Sequence, residues 1–208
     1  MKKLLFALSV LALAISPSSA RAQDGHEYSP LTEAKVNYKT WSLPSITTAK
    51  TEDLRKLIGG KKLVMIVYFA PWCRNWRMEA PVAAKLYDKY KAQGFQVIGV
   101  SEYGMMSEVI DYFGKDGPPY PVVTESESRE DKENTPHYAY RQLTGDKRSW
   151  GSPWNIFLEP AKLNASGDVL TEKAWVVNGE LIEDEVDKFI ASKVGATTAS
   201  AVIQPCKN

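Results

Sequence analysis

The 208-residue sequence contains only two cysteines, Cys73 and Cys206, and only two histidines, His26 and His137. Two cysteines allow one internal bridge, no bridge, or bridges to other molecules, which excludes a fold held together by several disulfides. The histidines are too few and too dispersed to form a metal site with Cys73. We therefore expect neither a metal nor another cofactor.

The chain also lacks an excess of charge of either sign. It has 26 Lys and Arg against 25 Asp and Glu, which gives a net charge of +1. Charges of both signs are mixed along the sequence, so neither nucleic acid nor an anionic membrane is indicated as a partner. No internal repeat is apparent.

The apolar run at the start of the chain is too short to be a typical membrane span. It covers residues 4–15, follows Met-Lys-Lys, and is followed by an A-x-A-like step at residues 20–22. These features predict a cleaved secretory signal at residues 1–22, with an N-terminal membrane anchor as the alternative, because a spanning helix needs ~20 apolar residues. We expect a secreted or periplasmic protein with no stable membrane insertion after cleavage, in a compartment where disulfides persist.

The remaining length predicts one domain, since roughly 185 residues suffice for one substantial core. Residues 23–40 are polar without clear periodicity, and we interpret them as an extension that is mobile or pairs with a sheet edge. The domain itself is expected over residues 41–194. Residues 195–208 are small and polar, which is typical of a flexible tail.

The core of the domain is predicted from two buried strands with a helix between them. The apolar stretches KKLVMIVYFA and FQVIGVS are typical of strands covered on both faces. Between them, residues 74–93 are predicted to form an amphipathic helix, interrupted at Pro81. Its apolar residues recur every four positions, at Met78, Val82, Leu86 and Tyr90. The three elements form a βαβ unit with a right-handed crossover.

The second half of the domain adds further helices and an antiparallel hairpin. We predict a short helix over residues 107–113, a strand at VVT and a helix at PHYAYRQL. The runs WNIFLE and KAWVV predict the hairpin, and residues 183–194 predict a final helix. The order β-α-β-α-β-β-α predicts an α/β fold with a mixed central β-sheet flanked by helices on both faces.

The segment WCRNWRMEAP resembles the active-site segment of thioredoxins, in which W-C-x-x-C is followed by K-M-x-A-P. Arg77 replaces the lysine, and Trp76 occupies the place of the second cysteine. The residues that match are Trp72, Cys73, Met78, Ala80 and Pro81. The wider pattern is similar to secreted TlpA/ResA-type thioredoxin-like proteins, which overlap with the redoxin (AhpC/TSA-like) and peroxiredoxin families. The resemblance covers roughly residues 40–194 and implies a thioredoxin-like fold.

Cys73 lies where a strand ends and a helix begins. At such a junction, unpaired backbone N–H groups and the helix dipole favour thiolate over thiol. Arg74 and Arg77 add positive charge nearby. We therefore expect Cys73 to be a reactive nucleophile and Arg74 to stabilise its thiolate, with a buried and inert cysteine as the alternative.

The resemblance also assigns residues around the thiol. Pro153 aligns with the cis-proline that faces the active-site cysteine, and Ser152 before it would leave backbone groups free for an extended substrate. A trans proline that opens a strand is the alternative. A tryptophan set either forms an apolar rim that binds substrate or packs in the core. This set contains Trp72, Trp76, Trp150 and Trp154.

Two departures from the thioredoxin pattern restrict the chemistry. Trp76 cannot release a mixed disulfide as a second thiol does, so the dithiol cycle is excluded. Val67 stands where many thioredoxins carry a buried aspartate. Cys206 is a candidate resolving thiol, since a tail of about a dozen residues can extend by ~35 Å, or it is a loose tail thiol. A partner redox protein or a small thiol is another source of resolution.

Together these features predict a secreted thioredoxin-like protein that exchanges thiols and disulfides with protein substrates through the single cysteine Cys73. One alternative is a non-catalytic binding module that keeps the thioredoxin frame, because a fold does not establish an activity. Another is a one-cysteine peroxidase, which would oxidise Cys73 to a sulfenic acid. The peroxidatic pattern P-x-x-x-T-x-x-C is absent before Cys73.

Overall fold

A computed structural model describes residues 25–48 and 50–195. The predicted signal sequence, Cys206 and nearly all of the predicted tail lie outside these residues. Within them, no helix combines the length and the apolar character that crossing a membrane requires.

The described residues form ten strands and five α-helices. The strands are β1 (Tyr28–Ser29), β2 (Thr32–Lys39), β3 (Ser42–Pro44), β4 (Thr51–Asp53), β5 (Leu63–Phe69), β6 (Phe95–Ser101), β7 (Val122–Thr124), β8 (Trp154–Leu158), β9 (Val169–Val177) and β10 (Glu180–Leu181). The helices are α1 (Leu54–Ile58), α2 (Arg74–Tyr90), α3 (Met106–Phe113), α4 (Pro136–Thr144) and α5 (Glu183–Val194).

The central sheet has six strands in the order β2-β9-β8-β5-β6-β7. β5, β6 and β7 are parallel, whereas β8 is antiparallel to β5, and β9 to β8. The predicted βαβ unit and the predicted C-terminal hairpin are therefore both confirmed. Two small two-stranded pairs, β1 with β10 and β3 with β4, lie outside this sheet.

Helices cover both faces of the central sheet. On one face, which we call the α2 face, the buried side chains include Leu86 of α2 and Ile190 of α5. On the opposite face, the α4 face, they include Leu54 of α1 and Tyr140 of α4. Every residue of β5 is buried because the strand is central and covered on both sides. The mixed sheet flanked by helices is thus confirmed.

The α2 helix differs from its prediction in its end and in its buried stripe. It ends at Tyr90, and residues 91–93 form a 3-10 turn closed by Gly94 in the left-handed conformation, with φ of 100°. Met78 and Val82 are only half-buried. The stripe that faces the sheet consists of Trp76, Glu79, Ala80, Ala83, Leu86 and Tyr90.

The polar stretch before Trp41 contributes the edge strand β2. It pairs antiparallel with β9, from Thr32 opposite Val176 to Lys39 opposite Val169, with a register irregularity between them. Its burial is partial, as expected for a strand at the edge of a sheet. Edge pairing, one of the two alternatives for this stretch, is therefore what the structure shows, while the domain boundaries stay predictions.

Candidate functional site

Cys73 lies at the N-terminus of α2, in the short loop after β5. It is the N-cap residue and is partly exposed. Its backbone N–H donates to the Ala70 carbonyl at 2.9 Å, and its carbonyl accepts from the Arg77 N–H at 3.1 Å. No acidic residue is present in the first turn of α2. The strand-to-helix junction predicted for Cys73 is therefore present, with the positive end of the helix next to the sulfur.

Ser152 connects this loop to the start of β8. The Cys73 Sγ donates to the Ser152 carbonyl at 3.1 Å, and the Ala70 N–H donates to the Ser152 Oγ at 2.9 Å. The Ser152–Pro153 peptide bond is cis, as predicted. The thiol and the residue before the cis-proline are thus in direct contact.

Arg148 fixes the segment that leads to Pro153. Its Nη2 donates to the Pro153 carbonyl at 2.8 Å and to Asp146 Oδ2 at 2.8 Å. Its Nη1 donates to Glu27 Oε2 at 3.2 Å, and the Glu27 carbonyl in turn accepts from the Glu180 N–H. One guanidinium therefore joins the proline loop to the first described residues of the chain.

Two of the predicted rim tryptophans, Trp72 and Trp150, lie half-buried beside the thiol. Their rings meet edge to face, with centroids 5.1 Å apart. The Trp72 Nε1 donates to the Tyr103 carbonyl at 2.8 Å. Arg129 lies 4.4 Å over the Trp72 ring, and Lys132 lies 4.9 Å over the Trp150 ring. We call these two rings the indole rim.

The other two tryptophans are core residues, and their predicted role in substrate binding is wrong. Trp76 is 1% exposed and stacks on Phe69 at 4.0 Å, because its position one turn into α2 faces the sheet. Trp154 is fully buried in β8 on the α4 face, where its Nε1 donates to Asn178 Oδ1 at 2.9 Å. The place of the second cysteine is therefore filled by a packed indole.

The two arginines after Cys73 are both exposed. The Arg74 side chain lies against Gly25 of the N-terminal segment. The Arg77 Nε donates to the Pro71 carbonyl at 2.8 Å, so its charge is held under the active-site loop. Both arginines carry positive charge at the helix end that the thiol caps.

Glu79, a buried acid on α2, was not predicted from the sequence. It is 2% exposed, and its Oε2 accepts from the Leu181 N–H at 2.8 Å and from Asn155 Nδ2 at 3.2 Å. Burial raises the pKa of Glu79 to about 8. Asn155 is the register partner of Val67, so a carboxyl from α2 lies near the position where thioredoxins carry their aspartate. A charged residue on the buried helical stripe is the signal that could have identified it.

A second buried polar cluster lies behind the loop and was also missed. The Glu102 N–H donates to the Phe69 carbonyl at 2.7 Å, and Glu125 Oε2 accepts from the His137 N–H at 3.2 Å. Burial and the neighbouring Glu125 raise the pKa of Glu102 well above its usual value. Burial also holds the pKa of His137 well below its usual value, so this ring is neutral. The Tyr103 hydroxyl bonds to His137 Nδ1 at 3.0 Å.

Metal ligands do not converge anywhere in the described ranges, where no group of three or more His, Cys, Asp or Glu side chains is placed to hold an ion. His26 bonds to Glu180 and His137 to Tyr103. Cys206 lies outside the described residues, so its predicted role as a resolving thiol stays a prediction.

Comparisons with known proteins agree with this architecture. A thioredoxin-family thiol:disulfide interchange protein from Chlorobium tepidum TLS superposes with a TM-score of 0.52 at 21% identity, over 77% of this chain and 97% of that chain. The thioredoxin domain of a thiol-disulfide oxidoreductase from Bacteroides vulgatus gives a TM-score of 0.52 at 18% identity, over 76% of this chain and 98% of that chain. A DsbF homologue from Corynebacterium diphtheriae gives a TM-score of 0.52 at 14% identity, over 86% of this chain and 98% of that chain.

Sequence comparisons match a smaller part of the chain. No protein-family model matches the chain. A curated relative, "Probable protein disulfide-isomerase A4" of Caenorhabditis elegans, is 36% identical over 52 residues, which is 25% of this chain and only 8% of the relative's length. At the identities of the superposed structures the likeness establishes architecture alone. The chain has a thioredoxin-like fold.

Proposed function

We propose that this protein is a secreted or periplasmic thioredoxin-like protein of the TlpA/ResA type that performs thiol–disulfide exchange with Cys73 as its single nucleophile. One observation carries the proposal: a partly exposed thiol caps α2 and contacts the carbonyl of Ser152, directly before the cis-proline Pro153. The similar solved structures include proteins described as thiol:disulfide interchange proteins and oxidoreductases, which supports the same reaction here. The predicted signal at residues 1–22 supports the location.

The first step follows from the contacts of the sulfur. In the thiol form, the S–H donates to the Ser152 carbonyl. Once the proton has left to solvent, the open N–H groups of the first turn of α2 and the nearby Arg74 stabilise the thiolate. The thiolate attacks a substrate disulfide R–S–S–R′, forms Cys73–S–S–R and releases R′–S⁻.

The second step needs a thiol from elsewhere. The described residues contain no cysteine besides Cys73, and Trp76 is packed where a resolving thiol would stand. Cys206, a partner redox protein or a small thiol would therefore attack the mixed disulfide. Disulfides or thiols of other proteins are the proposed substrates.

Trapping of the mixed disulfide tests this proposal. The mature chain is incubated with a disulfide-containing protein such as insulin, quenched with acid and analysed by mass spectrometry without reduction. We expect an adduct on Cys73 that persists in Cys206→Ser, the matched control, and is lost in Cys73→Ser. Adducts confined to Cys206, or absent from the native chain, would contradict the proposal.

A non-catalytic binding module is the second candidate, and the packed indole of Trp76 favours it because it removes the second thiol. For this candidate, Cys73→Ser binds a partner protein with unchanged affinity and the native chain traps none. The same pair of variants therefore separates the two functions.

A further inference from the structure

Four cations around the Cys73 loop are held by neutral groups. Lys132 Nζ donates to the Ser149 carbonyl at 3.2 Å and lies over Trp150, and Arg129 Nε donates to the Tyr103 carbonyl at 3.4 Å and lies over Trp72. Arg77 donates to the Pro71 carbonyl, and Arg74 lies against Gly25. Within residues 25–48 and 50–195, none of the four is in an ion pair.

Two of these positive charges lie together at the indole rim, because the Trp72 and Trp150 rings that they cover meet edge to face. Trp72, which Arg129 covers, directly precedes Cys73. Trp150, which Lys132 covers, lies two residues before Ser152. The Ser152 carbonyl accepts the hydrogen bond of the thiol. Cations on indole faces are attracted to the rings while their charge stays available to a further anion. The N-terminus of α2 adds partial positive charge at the same place.

Acidic residues of the same region do not cancel this charge by direct pairing. Glu108 accepts from the Met105 N–H at 2.8 Å, and Glu127 accepts from the Met106 N–H, so both face the first turn of α3. Glu130, Asp131 and Glu133 are exposed, and within the described residues none of them forms an ion pair with the four cations.

We propose that a small thiol bearing a carboxylate is the reactant that resolves the mixed disulfide of Cys73. This inference rests on the proposed function and names the class of its second reactant. Because Trp76 supplies no thiol, the cycle needs one from outside, and the cations at the indole rim, which form no ion pair within the described residues, attract an anion. A carboxylate on the incoming thiol would lie against Arg129 or Lys132 while its sulfur reaches Cys73.

The complete cycle balances with two equivalents of this thiol, written G–S⁻. The first attacks the Cys73 sulfur of Cys73–S–S–R, forms Cys73–S–S–G and releases R–S⁻. The second attacks the sulfur of G, forms G–S–S–G and returns the Cys73 thiolate. The substrate disulfide gains two electrons, and the two small thiols lose them.

A series of three small thiols tests the charge preference. The mature chain carrying Cys206→Ser is converted to a thiopyridyl mixed disulfide on Cys73, and release of thiopyridone is followed by absorbance. The thiols are mercaptopropionate, mercaptoethanol and cysteamine, which carry negative, no and positive charge. Each rate constant is divided by the concentration of the attacking thiolate. It is then divided by the rate constant of the same small thiol with the thiopyridyl disulfide of free cysteine, which corrects for the intrinsic reactivity of that thiol.

We expect mercaptopropionate to react about tenfold faster than cysteamine, with mercaptoethanol between them, because several partly screened charges act over a few ångströms. Added salt should reduce the ratio. Arg129→Gln combined with Lys132→Gln should lower the ratio of the mercaptopropionate rate to the cysteamine rate to about twofold, whereas Glu133→Gln should raise this ratio. The matched control is Lys35→Gln with Lys173→Gln, which removes two exposed charges from the β2–β9 pair and should leave the ratio unchanged.

Three outcomes overturn the inference. Equal corrected rates for the three thiols, or the same ratio in the Arg129/Lys132 variant as in the native chain, would show that the rim does not select charge. A fall of equal size in the Lys35/Lys173 control would assign the effect to net charge. Failure to form any mixed disulfide on Cys73 would overturn the proposed function as well, so the two failures are distinguishable.

Discussion

The two faces of the central sheet are built from different chemistry. The α2 face is apolar and aromatic, with Trp76 stacked on Phe69, and it contains the buried acid Glu79. The α4 face contains hydroxyl and imidazole groups, among them the Tyr38 and Tyr68 hydroxyls, which lie 2.9 Å apart. Glu79 on the first face and His137 on the second are both held neutral by burial. They therefore respond to pH in opposite directions.

Substitution of Trp76 is expected to have the largest effect on the free energy of unfolding. Trp76→Ala leaves a cavity against Phe69 and should lower the free energy of unfolding by about 3–5 kcal/mol. Trp72→Ala, four residues away on the half-exposed rim, should cost about 1 kcal/mol, since less area is lost from the interior. Urea denaturation of both variants measures the difference. Equal losses would mean that Trp76 does not act as a core residue.

Glu79 should weaken the fold as pH rises. Its folded pKa of about 8 lies above the ordinary value of 4.5, so the folded state holds the proton more tightly than the unfolded chain. Its contribution is fully present below about pH 4.5 and is lost as the pH rises through about 8. At about 1.4 kcal/mol per pH unit, the shift from 4.5 to about 8 amounts to at most roughly 5 kcal/mol.

Glu79→Gln removes this dependence and keeps an acceptor for the Leu181 N–H. The difference in unfolding free energy between the native chain and the variant, measured between about pH 5 and 9, should change in favour of the variant as pH rises. Parallel curves would contradict the raised pKa.

His137 should change the free energy of unfolding less than Glu79 does, and it should lower stability as the pH falls rather than as it rises. Its folded pKa is lowered, so the unfolded chain binds the proton more tightly, and stability present above about pH 6.5 is lost as the pH falls below that value. Relative to His137→Gln, the native chain should lose about 1 kcal/mol over the first pH unit below it. The same denaturation series at lower pH measures this, and an unchanged difference would mean that folding does not shift the pKa of His137.

The elements around the thiol were predictable because their signals are local. β5 is a continuous apolar run, and its junction with α2 and the GSP segment each have a short sequence pattern. Glu79 was missed, and Trp76 was left open between rim and core, because the helical face was chosen from Met78 and Val82, which lie half-buried beside the true stripe. Which face of α2 meets the sheet is decided by packing, and the sequence pattern alone left this open.

The cluster behind the loop depends on contacts between distant segments. Tyr103 has a positive φ of 58°, and its hydroxyl meets His137 from a helix more than thirty residues later. The edge strand β2 is polar because one side of it is solvent-exposed, and it bends where Asn37 has φ of 47°. Neither feature has a periodicity that sequence reasoning could detect.

The guanidinium of Arg148 has a practical consequence for handling the protein. It bonds at once to Glu27 and to the Pro153 carbonyl, so the start of the described chain and the wall of the reactive centre share one support. An affinity tag or fluorophore attached at Gly25 would lie against Arg74, the residue that follows Cys73. Labels intended to leave reactivity untouched belong elsewhere, for example at the exposed Lys35 of the edge strand β2.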